Sequence, residues 1–161
     1  MNRANNYAFI DSQNVYRGIK RMGWKLDWRR FRIYLREKYH VAVAYLFVGY
    51  IPQNASLYTE LQRAGFVLVF KPVLYDALGQ AKGNIDADLV LQAMLSYIEY
   101  DQAILVSSDG DYYSLVRHLY KTKKLCCVMS PDSSTCSVLI KKTAKERLVF
   151  FDTLRGRLEQ K

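Results

Sequence analysis

The chain has 161 residues, half of them hydrophobic, with 24 Lys and Arg against 15 Asp and Glu and a formal charge of +9. That length suits one globular domain with a substantial core and leaves no room for a second, and the positive excess favours nucleic acid or another phosphate-rich partner over an acidic protein. Three cysteines, two of them adjacent (Cys126 and Cys127), fit neither a disulfide framework nor a spaced zinc set. No apolar run reaches membrane-spanning length and residues 1–6 hold no apolar signal core, so a reducing, cytoplasmic setting is expected.

Residues 7–10 form a nearly continuous apolar run, which predicts a strand covered on both faces and ended by Asp11. A short basic helix is expected over 14–22, stopped by Gly23. Asp27 can cap a helix over 28–38, where Phe31, Tyr34, Leu35 and Tyr39 recur at helical spacing and Arg29, Arg30, Arg32 and Arg36 take the other positions. The β-branched run 41–48 predicts strand two, 54–64 a helix closed by Gly65, and 66–70 strand three. Residues 75–84, with Gly79 and Gly83, have turn composition, and 85–97 predict a helix whose Ile85, Leu89, Ala93 and Tyr97 line one stripe. Strand four is expected at 103–106, a helix at 112–120, strand five at 125–129, a helix at 134–142, an edge strand at 148–151, then a polar C-terminal helix. This alternation predicts an α/β fold: a doubly wound, mostly parallel sheet with helices on both faces, whose ligands gather at the carboxyl ends of the strands.

Aspartates occupy that rim. Asp11 follows strand one, Asp109 and Asp111 follow strand four, and Asp86 opens a helix. In the strand order 3-2-1-4-5, strands one and four are neighbours roughly 5 Å apart, so their carboxylates can converge. A hard divalent cation needs only one or two carboxylates with water and substrate phosphate. Each residue also has a plain reading as a turn former or cap: Asp86 can cap its helix, and Asp111 can cap the next helix or complete the acidic cup. Asp88, two residues beyond Asp86, should point away into solvent. His40 and His118 lack a nucleophile or carboxylate at motif spacing, and no glycine-rich phosphate loop follows a strand. The run Ser107-Ser108-Asp109-Gly110-Asp111 would repel a bare phosphate, and a bound metal would reverse that sign.

Three segments, Phe9-Ile10-Asp11-Ser12-Gln13-Asn14, Lys82-Gly83-Asn84-Ile85-Asp86 and Leu105-Val106-Ser107-Ser108-Asp109-Gly110-Asp111-Tyr112, resemble in order and spacing the signature motifs of the NYN domains, relatives of the PIN-domain nucleases. The resemblance implies a single PIN-like, Rossmann-like three-layer domain, with a core from about residue 6 to 151 and a short C-terminal helix, and metal-dependent cleavage of RNA. By that likeness Asp11, Asp86 and Asp109 carry Mg²⁺ or Mn²⁺, Asp111 adds a carboxylate, Asn14 orients a ligand, water or phosphate, and Ser107 gives the carboxylates hydrogen-bond support. The chain departs from the family pattern at Ser108, where glycine is common, and at Gln92, where many members carry another acid that would serve a second metal.

The activity expected is hydrolysis of single-stranded RNA, with Lys82, Arg17, Lys20 and Arg21 tracking phosphates and Tyr16, Trp24 or Tyr112 stacking bases. Two other readings stay open: a catalytically silent RNA-binding module of the same fold, and a phosphatase or phosphotransfer domain with Asp11 as nucleophile. An open sheet edge could also pair with a second copy as a homodimer.

Overall fold

The computed structural model describes residues 3–82 and 84–161. In chain order the elements are β1 (Asn6–Asp11), α1 (Ser12–Arg21), α2 (Trp28–Tyr39), β2 (Val41–Tyr50), α3 (Ala55–Ala64), β3 (Phe66–Pro72), β4 (Leu74–Tyr75), β5 (Ala81–Lys82) and α4 (Asp86–Leu95). They continue through β6 (Ala103–Val106), α5 (Tyr113–Lys121), β7 (Leu125–Ser130), α6 (Val138–Ala144), β8 (Leu148–Phe150) and α7 (Arg155–Leu158). Six strands form one sheet in the order β3-β2-β1-β6-β7-β8, every pair parallel. This is the predicted doubly wound arrangement, with β6 and β7 as the fourth and fifth strands expected from the sequence.

Alternation along the central strands divides the interior in two. Ala8 and Ile10 of β1, with Ile104 and Val106 of β6, face a core filled by Val15 and Ile19 of α1 and Phe31 and Leu35 of α2. Phe9 and Leu105 face the opposite core with Leu89 and Ala93 of α4 and Leu115, Val116 and Leu119 of α5. Successive strand residues point to opposite faces, so a strand that is apolar at every position needs helices on both. The sheet reverses its direction of growth between β1 and β6, where Ile10 lies opposite Val106. Ligand crevices of such sheets form at this switch point.

Several boundaries differ from the sequence expectations. α1 begins at Ser12, two residues early, because Asp11 itself is the N-cap and accepts from the Asn14 amide at 3.1 Å. The turn expected over 75–84 contains the antiparallel β4–β5 hairpin, with Asp76 Oδ1 accepting from the Leu78 and Gln80 amides; Gly83 lies outside the described residues. α4 stops at Leu95, leaving Tyr97 beyond it: the Tyr100 hydroxyl takes the Ala93 carbonyl, and past the helix the Lys124 ammonium holds the carbonyls of Tyr97 and Tyr100. The helix expected over 134–142 is split by two caps. Asp132 accepts from Ser134 N and holds a 3₁₀ turn, and Ser137 accepts from Leu139 N to start α6. The C-terminal helix is a single turn anchored by apolar contacts: Leu158 and, in the 3₁₀ turn before it, Leu154 are buried, and the chain beyond pairs Glu159 with Leu26.

Ile10 is fully buried one residue before Asp11. Ile10→Ala should lower unfolding free energy by about 2–5 kcal/mol, read as a lower urea midpoint at unchanged slope.

Candidate metal centre

Three segments meet at the crevice, each through a short hydrogen-bonded turn. Asp109 follows β6; its amide donates to Ser107 Oγ (3.1 Å), and its own Oδ1 accepts from the Asp111 amide (2.9 Å). Ser107 therefore braces the backbone at Asp109 and not the carboxylates themselves. Asn84 precedes α4 and accepts from the Asp86 amide at 2.8 Å. Asn84 thus takes the capping role that the sequence leaves open to Asp86. The Asp86 carboxylate is released to the site.

These turns bring Asp86, Asp109 and Asp111 together, with one oxygen of each lying within 4.8 Å of the others. Asp111 completes the cup and does not cap α5. The donors are hard oxygens with no sulfur or imidazole in the group, a set that could hold a hard divalent cation. Gln92 turns its amide to Ser96 Oγ at 2.9 Å and adds nothing to the cup. Asp88, expected in solvent, is half-buried and lies 3.1 Å from the Lys71 ammonium, because the first turn of α4 faces the end of β3.

Asp11 stands behind that group. It is 5% exposed, with Oδ1 accepting from Asn14 N and Oδ2 from the Tyr112 hydroxyl at 3.1 Å. The same hydroxyl lies 2.8 Å from Asp86 Oδ1. Tyr112 is completely buried, so it cannot stack a base as expected; buried Trp24 cannot either. Its hydroxyl carries one proton for two carboxylates. With both ionised one contact lacks a hydrogen, and a proton on Asp11 completes the pair.

The electrostatics agree with that geometry. Burial pushes the Asp11 carboxyl up to about 6, against the opposing hydrogen bonds from Asn14 and Tyr112, with the charges of Asp86 and Asp109 adding to the rise. Burial first, then the charges of Asp109 and Asp111, also hold Asp86 above the usual carboxylate range. The Tyr112 phenol is raised by burial and by both aspartates, and it stays a donor.

Of the other residues expected at the site, Asn14 fixes the crevice: its Oδ1 accepts from Ser108 N (2.9 Å) and Ser108 Oγ (3.1 Å). Arg17 shares a polar cleft with Asn14 and Asp109. Arg21 lines it too, but its guanidinium is occupied by Asp132 (3.0 Å) and Thr135 (3.1 Å) and is not a free phosphate contact. Tyr16 is 62% exposed on another side of α1, with Lys20 over its ring. Lys82 is exposed on β5. Sequence reasoning missed Asn84 and the true place of Tyr112; the signals were an Asn two residues before Asp86 and a Tyr directly after Asp111.

A parallel, doubly wound sheet with an acidic cup at its switch point defines a PIN-like class of α/β protein. The NYN domain model matches residues 7–147, and the chain belongs to that family. It is 24% identical over 163 aligned positions to the low amplitude and bright protein LabA of Synechococcus elongatus, covering 94% of this chain and 86% of that one. The crystal structure of a Vibrio parahaemolyticus protein of unknown function shares the fold with a TM-score of 0.78 at 23% identity, over 99% of this chain and all of that one. Among the described residues no helix is long and apolar enough to cross a membrane.

Two substitutions check the electrostatics in metal-free buffer. Because folding raises the Asp11 pKa from 3.8 to about 6, the native state binds the extra proton, so this group's contribution is favourable below about pH 4 and is lost as pH rises through 6. Asp11→Asn keeps a good cap and should stabilise the protein at pH 7 by about 2–3 kcal/mol, at roughly 1.4 kcal/mol per pH unit, while flattening this part of the pH–stability curve. Tyr112→Phe removes the hydroxyl that both carboxylates share and should destabilise at pH 7 by about 1–3 kcal/mol, measured by denaturant unfolding.

Proposed function

We propose that this protein is a ribonuclease that uses Mg²⁺ or Mn²⁺ to hydrolyse phosphodiester bonds of single-stranded RNA. The observation that carries the reading is the convergence of Asp86, Asp109 and Asp111 at the switch point of an NYN-domain sheet, in a chain of net charge +9. The all-oxygen donors of this group suit a hard cation. When bound, such a cation supplies positive charge toward the scissile phosphate and lowers the pKa of water in the site.

The chain's own groups have distinct parts in this reading. Asp86, Asp109 and Asp111 hold the cation, and three carboxylates without a fourth from Gln92 favour a single ion. Asp11 adds negative potential from behind, linked through Tyr112. Asn14, with its carbonyl fixed by Ser108, presents its amide N–H groups as donors to a phosphate or water. Arg17, Lys20 and Lys82 neutralise backbone phosphates, and exposed Tyr16 offers a base-stacking surface, which single strands can use and duplexes cannot. The alternative of Asp11 as a phosphorylated nucleophile fits poorly, since it is buried and both its oxygens already accept hydrogen bonds.

The test is incubation of labelled single-stranded RNA with Mn²⁺, Mg²⁺ or EDTA, beside Asp109→Asn. Cleavage should need the metal and fall more than roughly a hundredfold in the variant, beyond the 10–100-fold effect of groups that merely support ligands. Cleavage that persists in EDTA refutes the reading. Binding without cleavage in either metal favours a silent RNA-binding module.

A further inference from the structure

Beside the acidic cup lies a polar cleft of about 300 Å³, between α1 and the segment joining β7 to α6. Its lining includes Asn14, Arg17, Arg21, Asp109, Thr135 and Ser137. Its shape depends on close backbone contacts. A Cβ on Gly110 would come within 2.6 Å of Ser137 Oγ, and one on Gly18 within 2.7 Å of Pro131 Cβ, so both walls stand closer than any side chain permits.

The polar groups of this cleft are unevenly paired. Arg21 is neutralised by Asp132 and donates to Thr135 Oγ1, which leaves the Thr135 hydroxyl hydrogen unassigned. Ser137 Oγ accepts from Leu139 N, leaving its hydroxyl hydrogen in the same condition. Asn14 Oδ1 accepts twice from Ser108, so its amide N–H groups remain. Among the described residues Arg17 has no carboxylate within ion-pair distance. Among the described residues, four lining side chains thus carry donors with no protein acceptor. Among the described residues Asp109 is the one carboxylate in the wall; one of its oxygens is taken by Asp111 N and it belongs to the cup. A donor-rich pocket holding a planar, permanently charged guanidinium is complementary to a phosphate.

We propose that this cleft is a phosphate subsite adjoining the cation site, anchored by Arg17 and completed by Asn14, Thr135 and Ser137. The choice of a nucleotide phosphate as ligand rests on the ribonuclease reading. The phosphate belongs either to the RNA backbone next to the cut or to a chain end, and the chemistry of recognition is common to both. At the small end of ligand-site volumes, the cleft admits one nucleotide's phosphate and sugar.

The experiment compares adenosine, 5′-AMP and 3′-AMP by calorimetry with the full chain in EDTA, using wild type, Arg17→Gln and Ser137→Ala, with circular dichroism and melting curves to verify folding. At least one monophosphate should bind about tenfold more tightly than adenosine, and Arg17→Gln should remove that advantage. In Mn²⁺, the KM for RNA should rise about tenfold in Arg17→Gln with kcat changed much less. Weakening confined to 5′- or 3′-phosphorylated oligonucleotides identifies a terminal phosphate; equal weakening with an unphosphorylated oligonucleotide identifies a backbone phosphate. Equal binding of adenosine and both monophosphates, or a folded Arg17→Gln with unchanged monophosphate affinity, overturns the subsite. Protein that binds AMP through Arg17 yet leaves RNA intact in every metal retains the subsite and loses the ribonuclease reading. RNA cleavage with no dependence on Arg17 does the reverse.

Discussion

One phenolic hydroxyl holds the crevice together. Tyr112 reaches from the turn after β6 to Asp11 at the end of β1 and to Asp86 at the head of α4, so a single side chain joins the three segments that carry the site. The contact is strong because it is buried and charge-assisted, and costly because one proton serves two anions. Everything at the rim is arranged around that shortage: Asn14 N offsets Asp11 from one side, Asn84 takes over the helix cap so that Asp86 can face inward, and Ser107 anchors the backbone at Asp109.

The consequence is a site that works against the stability of the chain that builds it. Burial and like charge raise Asp11 and Asp86 above the ordinary carboxylate range, whereas Asp132, away from the cup, is held below it against its burial by hydrogen bonds from Ser134 and then Arg21. Perturbed carboxylates of the first kind are common at functional sites, because structure alone gives no reason to gather them. The positive excess of the rest of the chain does not cancel them locally. Arg21 is committed to Asp132, Lys71 to Asp88, and Lys124 to the carbonyls and rings of Tyr97 and Tyr100.

Two cores on either side of one sheet keep this arrangement rigid. The strands at the switch point are buried on both faces, and α1 leaves β1 without an intervening loop because Asp11 is at once the last strand residue and the helix cap. The side chains of Asn14 and Arg17 are therefore set by the same short junction that positions Asp11. Family membership agrees with this design, and the likeness to the Vibrio protein, at 23% identity, extends to the fold alone.

The sequence by itself was enough for the parallel sheet, its order and the rim positions of the aspartates. Each rests on a local signal: apolar runs too continuous for a half-exposed strand, strand–helix alternation, and Asp at the ends of those runs. It also marked Asp27 as a cap, since an Asp before a helical stripe needs only its own backbone to act. It did not reveal where helices would stop when a distant group satisfies a carbonyl, as the Tyr100 hydroxyl does for Ala93 of α4, or that Ser137 would restart a helix. The partners of Asp11, Asp86 and Tyr112 were equally hidden. Whether Tyr112 would stack a base or share its proton between two carboxylates depends on residues 26 and 101 positions away, and only the packed sheet brings them within hydrogen-bond distance.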